Sequence, residues 1–314
     1  MCTAVSYKPH RHYFGRNLDF ERGYGEKIVI TPRNFPFVFR KVEPQDRHFA
    51  MIGAAAVADN FPLYFEATNE KGLSAAALNF PQNAHYYTCS ENKKNVASFE
   101  LIPYLLGRCE SVGNVQQLLE NVNVINLSFS PELPASPLHW LIADKTGSIV
   151  FECTEDGMKI YDNPFDVLTN NPTFDFHLTN INNYMSLHEG SAINRMDPDS
   201  SLSNYSLGMG AMGLPGDFSS ASRFVKAVFV KEKSRCGDDE KSAVNQFFHI
   251  LQSVAMPRGC VMLPSGDYEY TRYSCCCTDT GVYYFTTYDS PSIRSVDMNS
   301  TDLDGSLLSC HPMV

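Results

Sequence analysis

The chain opens with short apolar runs broken by turn residues. Segments 4–7, 27–31, 50–57, 63–67, 73–78, 138–144 and 148–152 are rich in Ala, Val, Ile, Leu and aromatic residues and read as strands. Turn sequences such as Asp144-Lys145-Thr146-Gly147 and Glu155-Asp156-Gly157 separate several of them. A helical period then appears over 98–108, and again after Ser111, where Val115, Leu118 and Leu119 keep one apolar face. Two longer helices are predicted, one from Ser219 or Ser220 to Lys231 and one over 238–256, each opened by residues suited to capping. The last third returns to strands over 268–277 and 282–287, a hairpin around Asp279-Thr280-Gly281. Strands, then helices, then strands predict a layered α+β fold.

The length of 314 residues exceeds the usual single-domain size, yet no Gly/Ser-rich linker or charge block divides it, so one domain over 1–314 is predicted. A formal net charge of −10 argues against a nucleic-acid partner and against anionic membrane surfaces. No apolar run reaches the ~20 residues of a membrane span, and residues 1–20 lack the apolar core of a signal peptide, so the expected compartment is the cytoplasm. The 10 cysteines of so long a chain read as reduced thiols. In Cys275-Cys276-Cys277 only the outer two share a strand face, and no CxxC or nearby His completes a tetrahedral set, so no metal and no organic cofactor are expected. His10-Arg11-His12 reads as a solvated turn. A literal GxGxxG at Gly208–Gly213 runs into Leu214-Pro215-Gly216-Asp217 instead of a helix, so it reads as a glycine loop and not as a dinucleotide site.

The sharpest chemical signal is at the start, Met1-Cys2-Thr3. Removal of Met1 would leave one residue with both a thiol and a free α-amino group. A thiolate attacks, and an α-amine titrating near ~8 accepts a proton at neutral pH, so Cys2 can hold nucleophile and base together. A hairpin turning at Lys8-Pro9-His10-Arg11 would lay Tyr13-Phe14-Gly15-Arg16-Asn17-Leu18-Asp19-Phe20 beside Cys2, where Arg16 would favour thiolate. Arg16 and Asp19 point to opposite faces of a strand, so a bend is expected for both to meet one thiol.

Taken together, several segments carry a resemblance. They are Met1-Cys2-Thr3, Phe14 to Asp19, Asn69-Glu70-Lys71-Gly72-Leu73 leading to Leu78-Asn79-Phe80-Pro81, Leu168-Thr169-Asn170-Asn171-Pro172-Thr173-Phe174, and Gly213 to Phe218 followed by Ser222-Arg223-Phe224. In this order they resemble the choloylglycine hydrolases, the family of bile salt hydrolases and penicillin V acylases, and the likeness covers nearly the whole chain.

The resemblance implies a four-layer αββα sandwich of the N-terminal-nucleophile hydrolase type. It implies amide hydrolysis with Cys2 as nucleophile and with Arg16, Asp19 and Arg223 around it, the two arginines favouring thiolate and Asp19 orienting the new N-terminus. It gives the oxyanion hole to the Asn170 side-chain amide and the Asn79 backbone N–H. Leu18, Phe65, Leu133 and Leu138 match substrate-contact positions, although Ala58 and Phe65 depart from a common arrangement that puts the bulky residue first. Asn79, where penicillin V acylases carry Tyr, favours bile salt hydrolases. The expected substrate is therefore a bile acid conjugated to glycine or taurine, with penicillin V or another acyl amide as the alternative. A homotetramer is also implied, with the polar segment 185–207 as a candidate for reaching a neighbouring subunit. The loop 206–213 is the candidate for sensing the leaving group, because glycines let its backbone approach closely.

Overall fold

The computed structural model describes residues 1–313. Strands β1 (Cys2–Tyr7) and β2 (Tyr13–Phe20) form the expected hairpin, followed by β3 (Lys27–Thr31), β4 (Met51–Ala58), β5 (Phe61–Asn69) and β6 (Ser74–Asn79). One sheet of seven strands centres on β1, β2 and the strand Tyr268–Thr278. The other, of eight, runs from Gly157–Asp162 through Ser148–Thr154, Leu138–Ala143, β6, β5, β4 and β3 to Ser309–Pro312. Its neighbouring strands pair antiparallel.

Helices α1 (Leu101–Leu106) and α2 (Val112–Leu119) cover the outer face of the eight-stranded sheet, together with Phe35, Phe37, Trp140 and Phe151. After α3 (Phe174–Asn180), α4 (Ser220–Lys233) and α5 (Glu240–Gln252) cover the outer face of the other sheet. The result is the four-layer αββα arrangement. Its physical trace is that β1 is buried at every position and β2 at all but its last. A sheet covered on both faces buries successive residues on opposite sides, so its strands read as continuous apolar runs.

Strand predictions agree to within two residues at each end, and the helix limits differ for local reasons. Segment 98–108 divides into a 3-10 turn, Ser98–Glu100, and α1, which stops at Gly107. The helix predicted over 238–256 ends at Gln252, because Pro257 disfavours helical backbone before it and Met256 N–H is instead donated to Thr271 Oγ1 at 2.8 Å. Helices α4 and α5 start on the Ser219 and Asp239 side chains, which accept the Ser222 and Ser242 N–H groups at 3.4 and 2.9 Å. Strands Ser290–Asp297 and Ser309–Pro312 escaped the pattern because they are sheet edges with many exposed positions. All ten cysteines are free thiols. Among the described residues no helix is long and apolar enough to cross a membrane.

Gly15 allows the close approach that builds the site. A Cβ there would lie 1.9 Å from the Cys275 carbonyl oxygen, so β2 packs against Tyr268–Thr278 only with glycine at this place.

Candidate active site

The hairpin register sorts the side chains. Cys2 lies opposite Leu18 and Ala4 opposite Arg16, so Cys2, Leu18 and Arg16 share the face turned toward the other sheet. Thr3, Asn17 and Asp19 share the face turned toward the helices, where Asn17 Nδ2 donates to Leu251 O of α5 at 2.9 Å. The bend expected for Arg16 and Asp19 is unnecessary, because they address different ends of one residue. Arg16 shares the face of the Cys2 thiol, while Asp19 lies beside the amino terminus.

Arg16 is fully buried and fills a gap between β5 and β6, whose paired register ends at Ala76. Its Nη1 donates to Ala77 O at 2.5 Å and Phe65 O at 3.1 Å, and its Nε lies 3.8 Å from Glu66 Oε2. Burial opposes its charge, but the neighbouring Cys2, Tyr273 and Glu66 outweigh burial and carry its pKa above the ordinary value.

Asp19 is also buried. Its Oδ1 accepts Thr271 Oγ1–H at 2.6 Å, while Oδ2 has no partner among the described residues. Burial pushes its pKa up against the opposing pull of Arg223, the amino terminus and Thr271. In the structure Met1 precedes Cys2 and extends the hairpin ladder, its ammonium donating to Asp19 O at 2.9 Å and contacting the Glu269 carboxylate. Burial holds the Met1 amine below its ordinary pKa, with Cys2 and Asp19 opposing.

Arg223, on the first turns of α4, brings three chain segments together. Its Nη1 donates to Cys2 O at 2.5 Å and Thr3 Oγ1 at 2.7 Å, Nη2 to Asn170 Oδ1 at 2.8 Å, and Nε to Phe218 O at 3.0 Å. Asn170 Oδ1 also accepts the Cys2 main-chain N–H at 2.8 Å. With two donors facing Oδ1, the amide orientation is fixed, and Nδ2 points to Asn79 O at 2.7 Å. At the end of β6 the Phe80 N–H donates to the carbonyl of Pro137, just before the neighbouring strand Leu138–Ala143. Alternation along an antiparallel ladder then turns the Asn79 N–H to the other edge, the one β5 has left, where its own carbonyl meets Asn170. Cys2, Arg16, Asp19, Asn79, Asn170 and Arg223 are thus one connected cluster.

A cavity of about 510 Å3 opens from Cys2, Arg16 and Asn79. Leu18, Phe65, Leu133 and Leu138 all line it, as does Ala58. Sequence reasoning missed Phe20, Tyr24, Phe99, Ile102 and Phe129, which supply much of the apolar wall, and Arg22 and Glu132, which supply charge. No local signal separates those aromatics from ordinary core. The loop 206–213 is not among the residues lining the cavity; it packs on 188–190, with Gly210 N–H donating to Gly190 O at 2.9 Å. No cluster of metal-ligating side chains occurs among the described residues.

Comparison with known proteins places this geometry. Residues 2–310 match the model of linear amide C–N hydrolases of the choloylglycine hydrolase family. The chain is 50% identical over 314 residues to a bile salt hydrolase/transferase of Lactiplantibacillus plantarum, covering 100% of this chain and 97% of that protein. It superposes on a variant of the conjugated bile acid hydrolase from Clostridium perfringens with a TM-score of 0.91 at 34% identity, covering 99% and 97% of the two chains. A penicillin V acylase from Agrobacterium tumefaciens matches with a TM-score of 0.78 at 19% identity, over 98% and 90% of the chains, a likeness of fold alone.

Proposed function

This chain belongs to the choloylglycine hydrolase family, and we propose that its substrate is a bile acid joined through its side-chain carbonyl to glycine or taurine. The observation that carries the reading is the divided environment of Cys2. Its side chain faces an apolar cavity beside Arg16, while its main-chain N–H donates to Asn170 and its carbonyl accepts from Arg223. The mature enzyme starts at Cys2, with 1–314 folding as one catalytic unit apart from Met1.

Loss of Met1 turns the Cys2 nitrogen into an α-amine and frees the Asp19 carbonyl that Met1 had engaged. The unpartnered Asp19 Oδ2 is then available to hold the new ammonium. In acylation the α-amine takes the thiol proton and the sulfur attacks the carbonyl carbon, whose oxygen becomes negative. The Asn79 N–H and the Asn170 Nδ2–H receive that charge. Collapse re-forms the carbonyl and breaks the C–N bond, and the ammonium returns its proton to the departing nitrogen. Water then attacks the thioester with the α-amine as base, releasing free bile acid and thiolate.

The cavity suits a rigid steroid, with Leu18, Phe65, Leu133 and Leu138 among its apolar contacts. The carboxylate or sulfonate of the amino acid stays near solvent, where the exposed Arg22, 3.6 Å from Glu21, is a cation of the cavity lining. The location is cytoplasmic and the assembly a homotetramer. The segment 185–207 supports the latter by exposing Met185, Ile193, Met196, Leu202, Tyr205 and Leu207. Sedimentation showing only monomer at working concentration refutes the assembly. The substrate test is kcat/KM measured side by side on glycocholate, taurocholate and penicillin V. Preference for penicillin V over both conjugates overturns the bile acid reading and leaves the Cys2 chemistry standing.

A further inference from the structure

Asn79 ends β6, and Asn170 sits in the loop after Leu168, ninety-one residues later. Two donors aimed at one oxyanion must keep a fixed spacing, although no covalent neighbour relates them. One buried side chain touches the backbone environment of both. His139 lies opposite Leu78 in the pairing of β6 with Leu138–Ala143. Its ring stacks on Phe80, the residue after Asn79, with centroids 4.2 Å apart and planes within 7°. Its Nε2 lies 3.0 Å from Thr169 O, the carbonyl just before Asn170. A carbonyl only accepts, so Nε2 carries the hydrogen.

The other ring nitrogen, Nδ1, lies 3.0 Å from Glu152 Oε1, and both residues are fully buried. Glu152 also accepts the Phe174 N–H, at 3.1 Å to one oxygen and 3.2 Å to the other. The pair therefore grips the Asn170 loop at two points, Thr169 O on one side and Phe174 N–H on the other. The ring itself abuts the residue beside Asn79.

We propose that His139, oriented by Glu152, is a positioning residue that sets the spacing between the Asn79 N–H and the Asn170 side chain. The inference rests on the reading of those two groups as the oxyanion donors. Ser220 Oγ accepts the Asn170 N–H at 2.8 Å and His177 Nε2 lies 3.0 Å from Asn170 O, so the loop keeps other ties when His139 is changed. The effect is a displaced donor and falls short of a removed one, which typically costs about 10²–10³ in rate.

The test uses the full-length processed enzyme and two reactions of the same thiol. Amide hydrolysis needs the oxyanion donors; alkylation of Cys2 by iodoacetamide, a displacement at saturated carbon, does not. His139→Phe keeps a ring on Phe80 and loses both hydrogen bonds; it is expected to lower kcat about 10- to 100-fold. His139→Gln can again donate to Thr169 O but loses the stack; it is expected to fall between that variant and the parent. In both, KM and the alkylation rate stay within about threefold, since substrate binding and the nucleophile are untouched. A folded His139→Phe that keeps kcat within about twofold overturns the proposal, as does an alkylation rate that falls in step with kcat. If His139→Phe does not fold, His139→Gln decides by the same criteria. Asn170→Ala serves as the control: if it keeps full kcat, the oxyanion reading itself fails. If it loses kcat while both folded His139 variants keep theirs, only the positioning role fails.

Discussion

Replacing Arg223 by Met removes a side chain that joins α4, β1 and the Asn170 loop. It deletes four hydrogen bonds, to Cys2 O, Thr3 Oγ1, Asn170 Oδ1 and Phe218 O, from a guanidinium that is 1% exposed. It also removes the strongest positive charge offsetting the burial of Asp19, whose Oδ2 lacks a partner among the described residues. Hydrogen bonds from a charged donor contribute about 1.5–3 kcal/mol each, but these share one group and do not add. Leaving buried acceptors unpaired costs about 1–3 kcal/mol each, so a loss of about 3–5 kcal/mol is expected here. For 314 residues, unfolding entropies of about 2 cal/mol/K per residue convert this to a melting temperature lower by roughly 5–8 °C. Activity should fall further than stability, by about 10²-fold in kcat at a temperature where the variant is fully folded, because Asn170 Oδ1 loses one of the donors that orient it. Arg223→Lys restores the charge but not the planar fork, and should recover part of the melting temperature with little of the kcat. Thermal unfolding followed by circular dichroism, with steady-state hydrolysis at a fixed lower temperature, reads both quantities. If Arg223→Met melts within about 2 °C of the parent and hydrolyses at a third or more of its rate, the reasoning about this clamp is wrong.

Cys2→Ala should abolish amide hydrolysis while the fold is kept, and intact mass of the active parent should show Met1 absent; activity in a preparation that retains Met1 would sink the mechanism. Burial holds His12 and His177 at about 4, below their ordinary value, so both fold as neutral rings. The unfolded chain takes up those protons near pH ~6.5, so stability from these groups is complete above that pH and falls as pH drops toward 4, by about 3 kcal/mol at most for each group. The urea midpoint should therefore decline from pH 7 to pH 5, and less steeply in His12→Asn; a flat midpoint would contradict it. Gly15→Ala places a methyl on the Cys275 carbonyl and should cost about 3 kcal/mol or more, whereas Gly113→Ala near the start of α2, with nothing closer than 3.9 Å, should be neutral or stabilising. Prolonged chelation should leave turnover unchanged, and activity restored by added zinc would show that the cysteines had been misread.

What the sequence determined on its own is what short-range chemistry determines. A thiol at the second position makes a nucleophile and a base out of one residue once Met1 is gone, whatever surrounds it. Apolar runs such as those in β3 and the Val282–Thr287 strand declare themselves through composition and turn residues, so their limits came out to the residue. The motif segments carried Cys2, Arg16, Asp19, Asn79, Asn170 and Arg223 through the family resemblance. Their roles were not visible in them singly, since Asn-Phe-Pro and Asn-Asn-Pro are also ordinary turn sequences.

Only the tertiary structure decided how these residues divide around Cys2. Strand alternation predicted that Arg16 and Asp19 face opposite ways, which is correct, but sequence offered no reason why that is useful. The answer depends on what packs on each face: the other sheet and the cavity beside Arg16, and helix α4 with Arg223 on the side of Asp19. The aromatic wall was illegible for the same reason. Phe99 and Phe129 lie outside the strands and reach the cavity by chain folding. The placement of 206–213 was equally a long-range matter, since glycine freedom fixes how a loop can bend and not what it bends toward. His139 shows the limit most clearly. In sequence it is one polar residue in an apolar strand, and its meaning comes from Phe80, Thr169 and Glu152, all of which the folded sheets bring to one ring.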